Sequence, residues 1–154
     1  MTIAPVRAEV TVSQPPDEAF VLFATRIGDW WTGNSIGRKP RAAITLEPAP
    51  GGRWYETAAD GEETDWGKVV AWDPPHRLLL VWELNSRFEP DPTVVTTIEI
   101  RFAAIDGGTR VSLEHRDLER FGDEARDVAG RINQGWPKQL GAFAAHVLGM
   151  EEAR

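Results

Sequence analysis

The sequence contains no cysteine, which excludes disulfides, thiolate metal ligands and thiol nucleophiles. It has only three histidines, and none has the close partner of a preformed metal site such as H-E-x-x-H. The segment GNSIG (33–37) matches the G-x-S-x-G pattern by letter, but its Ser35 lies in a predicted loop with no obvious base, and no glycine-rich phosphate loop opens a helix. The sequence therefore predicts no bound metal and no cofactor, and it predicts no nucleophile with a partner base.

Long apolar runs are missing too. No stretch approaches the roughly 20 apolar residues that cross a bilayer, and the N-terminus does not resemble a signal peptide. The net charge of −7 gives no general attraction to nucleic acid, and the basic group RKPR (38–41) is interpreted as an exposed loop rather than an anion site. We expect a cytoplasmic protein with neither nucleic-acid nor membrane partners. The sequence is compatible with a homodimer.

Tryptophan is abundant, with seven residues spread along the chain. They form either a large aromatic core or the wall of an apolar cavity. Trp30 and Trp31 are adjacent, and neighbouring side chains point about 100° apart on a helix or to opposite faces of a strand. We therefore predict that one of these rings packs under a sheet and that the other borders a cavity mouth or an interface.

The hydrophobic periodicity predicts an α+β fold in one domain over residues 1–154. Short helical segments over 16–24 and around 27–31 follow the first strand. A spacing of three to four residues from Gly122 onward predicts a long C-terminal helix, which Pro137 either kinks or divides. Alternating apolar residues predict seven strands, which short turns make antiparallel: 6–13, 42–47, 53–57, 66–72, 78–84, 93–105 and 109–116.

The order of these elements predicts how the sheet is covered. A sheet with one apolar face must bury that face, and the C-terminal helix is the only element long enough to do so. A curved sheet wrapped around one helix leaves a space between them, and we expect this space to be a ligand pocket where side chains fill it only in part.

Six phrases of the sequence are PPDEAF (15–20), DWW (29–31), GGRW (51–54), GKVVAWDPPHRLLLVWEL (67–84), DGGTRVSLEH (106–115) and GWPKQLGAF (135–143). These phrases resemble the AHSA1-like (activator of Hsp90 ATPase homologue 1-like) proteins of the START/Bet v 1-like, or SRPBCC, superfamily. The resemblance extends from about residue 6 to 148. It implies a helix-grip fold with a cavity that often holds a small apolar ligand, but it supplies no activity, because the superfamily contains carriers, cyclases and a co-chaperone domain.

Strand alternation and helical spacing select the residues that should face this space. Trp54 and Trp82 are placed on the inner side of their strands, and Trp136 shares a helical stripe with Leu140 and Phe143. The predicted ligand-binding residues are Trp31, Trp54, Trp82, His115, Trp136, Leu140 and Phe143.

His115 supports two interpretations, because alternation places it on the same inward face as Val111 and Leu113. It is either a core histidine with protein partners or a general acid/base.

The sequence leaves three functions open. The first is a carrier of a small apolar or aromatic molecule with no identified catalysis, and the second is a cyclase- or hydrolase-type enzyme that uses His115. The third is an interaction module in the stress response that regulates a chaperone.

Overall fold

The computed structural model describes residues 2–33 and 35–152. Seven strands form one antiparallel sheet in the order β1-β7-β6-β5-β4-β3-β2. The strands are β1 (Val6–Val12), β2 (Arg41–Leu46), β3 (Arg53–Ala58), β4 (Glu63–Asp73), β5 (Arg77–Trp82), β6 (Thr96–Ile105) and β7 (Gly108–Arg116).

The helices lie between β1 and β2 and after β7. Helix α1 (Pro16–Phe20) continues into a π-helical turn over Val21–Thr25, and α2 (Ile27–Trp30) follows. A 3-10 segment (Leu118–Glu124) leads into the long helix α3 (Ala125–Glu152). Together with the curled sheet, these elements make the helix-grip fold that the sequence predicted.

Helix α3 differs from the prediction at its start and at Pro137. Gly122 has φ of +73°, a left-handed conformation that separates the 3-10 segment from α3, so the helix begins at Ala125. Pro137 lies inside one continuous helix of 28 residues, which rules out two separate helices. Both Pro137 and Asn133 are exposed, so water can bind the Asn133 carbonyl that lacks an N–H donor four residues later.

The inner and outer faces of the sheet differ sharply. The outer face carries ion pairs, with Glu99 bonded to Arg77, Arg101 and Arg116 at 2.7, 2.6 and 2.7 Å. An open concavity of about 680 Å³ lies there among such charged side chains. The inner face is apolar and packs on α3, so any site for an apolar molecule belongs on the inner side.

Candidate functional site

Five tryptophans meet between the sheet and α3, and we call them the indole cluster: Trp31, Trp54, Trp66, Trp82 and Trp136. Trp31 lies 5.3 Å from Trp66 and 5.5 Å from Trp136, measured between ring centroids. Trp82 lies 6.0 Å from Trp54 and 5.9 Å from Trp136. Most of these pairs meet edge to face or tilted, which are the favoured arrangements of aromatic rings.

The β3-β4-β5 register brings two of these rings together. Gly67 on β4 pairs with Trp54 on β3 and with Trp82 on β5. A Cβ on Gly67 would lie 1.9 Å from the Val81 carbonyl oxygen, so only glycine fits. The same stretch bulges, because Trp54 and Tyr55 pair with Gly67 and Asp65 and leave Trp66 as the extra residue. The bulge places Trp66 inside the cluster.

The rings of Trp30 and Trp31 lie in different environments, as the sequence predicted. Trp30 is only 3% exposed, and its Nε1–H donates to the carbonyl oxygen of Phe23 at 3.1 Å. Trp31 follows the last residue of α2, is partly exposed and faces the indole cluster. One ring therefore belongs to the core and the other to the rim of the site.

Glu56 is a buried carboxylate beside the cluster, with 2% exposure. Its Oε1 accepts the indole N–H of Trp66 at 2.8 Å and the backbone N–H of Ile36 at 2.6 Å. Glu56 therefore fixes the Trp66 ring and attaches the segment between α2 and β2 to the sheet. Strand parity with Trp54 was the signal for this inward position, and the sequence analysis did not use it.

His115 is completely buried, and both ring nitrogens are hydrogen-bonded. Nδ1 accepts the indole N–H of Trp136 at 3.0 Å, and Nε2 lies 2.8 Å from the Thr96 hydroxyl oxygen. Because Nδ1 is an acceptor, the neutral ring carries its proton on Nε2 and donates it to Thr96. Burial lowers the pKa of His115 from 6.5 to about 3, so the ring is neutral at physiological pH.

A pocket of about 160 Å³ opens at one side of the indole cluster, and we call it the aromatic pocket. It lies where the end of α2, the loop between β5 and β6, and the middle of α3 converge. Its lining residues are Trp31, Trp82, Phe88, Arg131, Ile132, Gly135, Trp136 and Gln139.

Helix α3 supplies one wall of this pocket through residues four positions apart. Arg131, Gly135 and Gln139 share one helix face by this spacing, and all three line the pocket. Gln139 accepts the backbone N–H of Thr32 at 3.0 Å and donates to the Thr32 carbonyl at 2.8 Å, which attaches the Trp31 segment to α3. Gly135 leaves open space, since a Cβ there would have no heavy atom within 4 Å.

The β5–β6 loop (residues 83–95) closes the pocket from the other side through Phe88. Phe88 has a left-handed φ of +57°, an uncommon conformation for a bulky residue. Arg131 holds this loop, because its guanidinium donates to the Ser86 carbonyl at 2.7 Å and lies 5.0 Å from the Phe88 ring centroid. The loop is thus attached to α3 by a hydrogen bond and a cation–π contact.

The structure divides the predicted site residues into two groups. Trp31, Trp82 and Trp136 line the pocket, whereas Trp54 lies one ring deeper and lines none of it. His115, Leu140 and Phe143 are likewise buried core residues outside the lining. The space between the sheet and α3 holds buried aromatic rings, and the aromatic pocket opens at one side of it.

Sequence reasoning missed the other lining residues. Phe88 is a lone aromatic in the polar stretch NSRFEPDP, and Ile132 lies on the apolar stripe of the last helix. Arg131, Gly135 and Gln139 gave a weaker signal, namely their spacing of four residues on the helix that carries Trp136. In residues 2–33 and 35–152, no group of three potential metal ligands comes together, and no helix has the length and apolarity that a bilayer span needs.

Comparison with known proteins adds one near relative and several that share the fold. The anthrahydroquino-gamma-pyrone synthase Txn09 is 35% identical, with a TM-score of 0.65 over 94% of this chain and 97% of that one. A Mesorhizobium loti protein is 20% identical, with a TM-score of 0.69 over 94% and 96% of the two chains. No curated protein sequence matches.

The Aha1 dimer from Colwellia psychrerythraea has the same fold at 15% identity, with a TM-score of 0.66 over 94% of this chain and 96% of that one. The family model for the activator of Hsp90 ATPase homolog 1-like proteins matches residues 14–147. That match spans most of the chain, including the segments that form the aromatic pocket. The chain therefore belongs to the activator of Hsp90 ATPase homolog 1-like family.

Proposed function

We propose that this protein binds a small planar aromatic molecule in the aromatic pocket. The observation that carries the proposal is the lining itself, with indole and phenyl rings from three separate segments around an open space. Ligand sites are typically apolar and aromatic with few polar groups. The similarity to Txn09, a synthase named for an aromatic product, supports the same class of ligand.

The size of the pocket sets the size of the ligand. Its volume of about 160 Å³ lies below the roughly 300–1,000 Å³ of drug-sized sites. An engineered apolar cavity of about 150 Å³ binds benzene. The pocket in this conformation therefore fits one ring or a compact pair of fused rings, and naphthalene is the natural first probe.

Gly135 allows a test that separates ligand binding from folding. Gly135→Leu should fill the pocket without a clash, because a Cβ there meets open space. Replacing a helical glycine should also preserve or raise stability, by up to about 1 kcal/mol. We expect naphthalene at ten times its Kd to stabilise the native protein by about 1.4 kcal/mol, or roughly 3–5 °C in Tm. The variant should show no such shift.

The matched control is Gly141→Leu, at an exposed helical glycine that also has open space and lies outside the pocket. It should keep the full thermal shift. Indole N–H signals in ¹H–¹⁵N spectra give a second measure of binding, with Trp31 and Trp136 expected to move. The proposal fails if naphthalene leaves wild-type signals unchanged, or if Gly135→Leu binds it as well as wild type does.

A second candidate function is a cyclase-type enzyme, which the 35% identity to a synthase favours. His115 would then act as the acid/base. In the described structure its nitrogens are bonded to Thr96 and Trp136, so proton transfer requires a ligand group to replace the Trp136 N–H at Nδ1. His115→Asn should abolish turnover of any ligand that reacts and leave naphthalene binding intact. Unchanged turnover would remove His115 from the mechanism.

A further inference from the structure

Some indole N–H groups of the interior have a hydrogen-bond acceptor and others do not. Trp30, Trp66 and Trp136 donate to Phe23, Glu56 and His115 at 3.1, 2.8 and 3.0 Å. Trp54 Nε1 and Trp82 Nε1 are buried and have no hydrogen-bond partner within the described residues. An indole nitrogen can only donate, and a buried donor without an acceptor is rare in folded proteins.

Trp82 matters most, because it both lines the pocket and carries one of these unpartnered donors. Its ring is surrounded by other rings, at 5.3 Å from His115, 5.9 Å from Trp136, and 6.0 Å from both Trp54 and Phe88. None of these neighbours offers it an acceptor. The pocket borders the Trp82 ring, whereas Nε1 itself is buried, so a ligand acceptor reaches this donor only when a neighbouring ring shifts.

The other polar side chains near the pocket also offer few free hydrogen-bond acceptors. Gln139 uses its carbonyl oxygen to accept from Thr32, and His115 Nδ1 already accepts from Trp136. Arg131 at the rim has only donors, and its side chain is 42% exposed. These two side-chain acceptors are therefore occupied, whereas the Trp82 N–H has no acceptor. A ligand that brings its own acceptor oxygens matches this lining, and a ligand that brings N–H or ammonium groups does not.

We propose that the ligand is a planar aromatic carbonyl compound of the quinone or aryl ketone class, with one carbonyl oxygen accepting the Trp82 indole N–H. This inference rests on the proposed function and adds the chemical class. Because the Trp31 and Trp136 rings are inclined at 84° to each other, one contacts a flat face of the ligand and the other its edge. Trp54 Nε1 lies one ring deeper and becomes a second donor only if the ligand displaces part of the cluster.

The test compares 1,4-naphthoquinone with naphthalene, which share a ring frame and differ in the two carbonyl groups. The absence of cysteine removes the thiol that a quinone would otherwise alkylate. Trp82→Phe keeps an aromatic ring and removes the N–H. We expect it to weaken quinone binding by about threefold to tenfold more than naphthalene binding, since one hydrogen bond is lost. The Trp82 N–H signal should also move downfield with the quinone alone.

Trp72→Phe is the control, because Trp72 packs on Phe20 at 5.2 Å and lies outside the pocket lining. It should leave the ratio of the two affinities unchanged. If Trp82→Phe weakens both probes equally, the carbonyl assignment is overturned while the proposed function stands. If neither probe binds wild type, both the carbonyl assignment and the proposed function fail.

Discussion

At the scale of single residues, His115 shows how one hydrogen bond sets a protonation state. The Trp136 indole can only donate, so Nδ1 must be free of a proton to accept it. Protonation would place two donors face to face in a site from which water is excluded. Geometry and burial thus act in the same direction, and both keep the ring neutral.

This arrangement makes the free energy of unfolding depend on pH. The unfolded chain binds a proton at His115 near pH 6.5, whereas the folded chain does so only at about pH 3. The unfolded state therefore binds more protons between these values, and stability falls as pH falls through this range. From pH 7.5 to pH 5, we expect His115 to account for a loss of about 2 kcal/mol in urea denaturation.

The measurement compares wild type with His115→Asn, which lacks the titrating ring. The stability difference between the two proteins should shrink by that amount as pH is lowered, because only wild type loses the His115 contribution. His76→Gln, at an exposed histidine, serves as the control and should follow wild type at every pH. A wild-type minus His115→Asn difference that stays constant from pH 7.5 to 5 would show that His115 titrates alike in both states.

At the scale of elements, the sequence predicted strands and helices well where one periodicity dominated. Alternation placed Trp54 and Trp82 inward, and both are buried in the structure. Trp66 needed more than alternation, because its inward position depends on a bulge created by pairing with β3. A bulge depends on two strands together, so the pattern of one strand cannot specify it.

The pocket illustrates a second limit of sequence patterns. Its long-range contacts join segments far apart in the chain, as when Gln139 binds Thr32 or Arg131 contacts Phe88. Periodicity identified the aromatic residues that face inward but not how tightly their rings would pack. Whether rings leave a cavity depends on their angles and separations, which no spacing rule contains. The sequence therefore could not give the volume of the space.

At the scale of the whole molecule, the pocket is limited by the loop that covers it. The β5–β6 loop contributes Phe88 to the pocket lining, and Arg131 attaches that loop to α3. A three-ring ligand exceeds a volume of about 160 Å³, so the lining must move to admit it, and we expect Phe88 on the loop to move. The ligand size range then depends on how firmly the helix holds the loop.

Arg131→Met tests this coupling between loop and helix. The change removes the hydrogen bond to the Ser86 carbonyl, the cation–π contact with Phe88 and an exposed ion pair with Asp127. The two contacts to the loop are together worth about 1 kcal/mol at an exposed site. We expect the association rate of the neutral three-ring quinone 1,8-dihydroxyanthraquinone to rise about fivefold in stopped-flow fluorescence, since the open loop becomes more populated. Naphthalene affinity should change by less than about twofold, because naphthalene fits the pocket without movement of the loop.

The control is Arg126→Met, at an exposed arginine of α3 outside the pocket lining, which should leave both the three-ring association rate and the naphthalene affinity unchanged. If Arg131→Met leaves the three-ring rate at the wild-type value, the attachment of the loop does not control entry, and the pocket must open by movement of α2 or α3 instead.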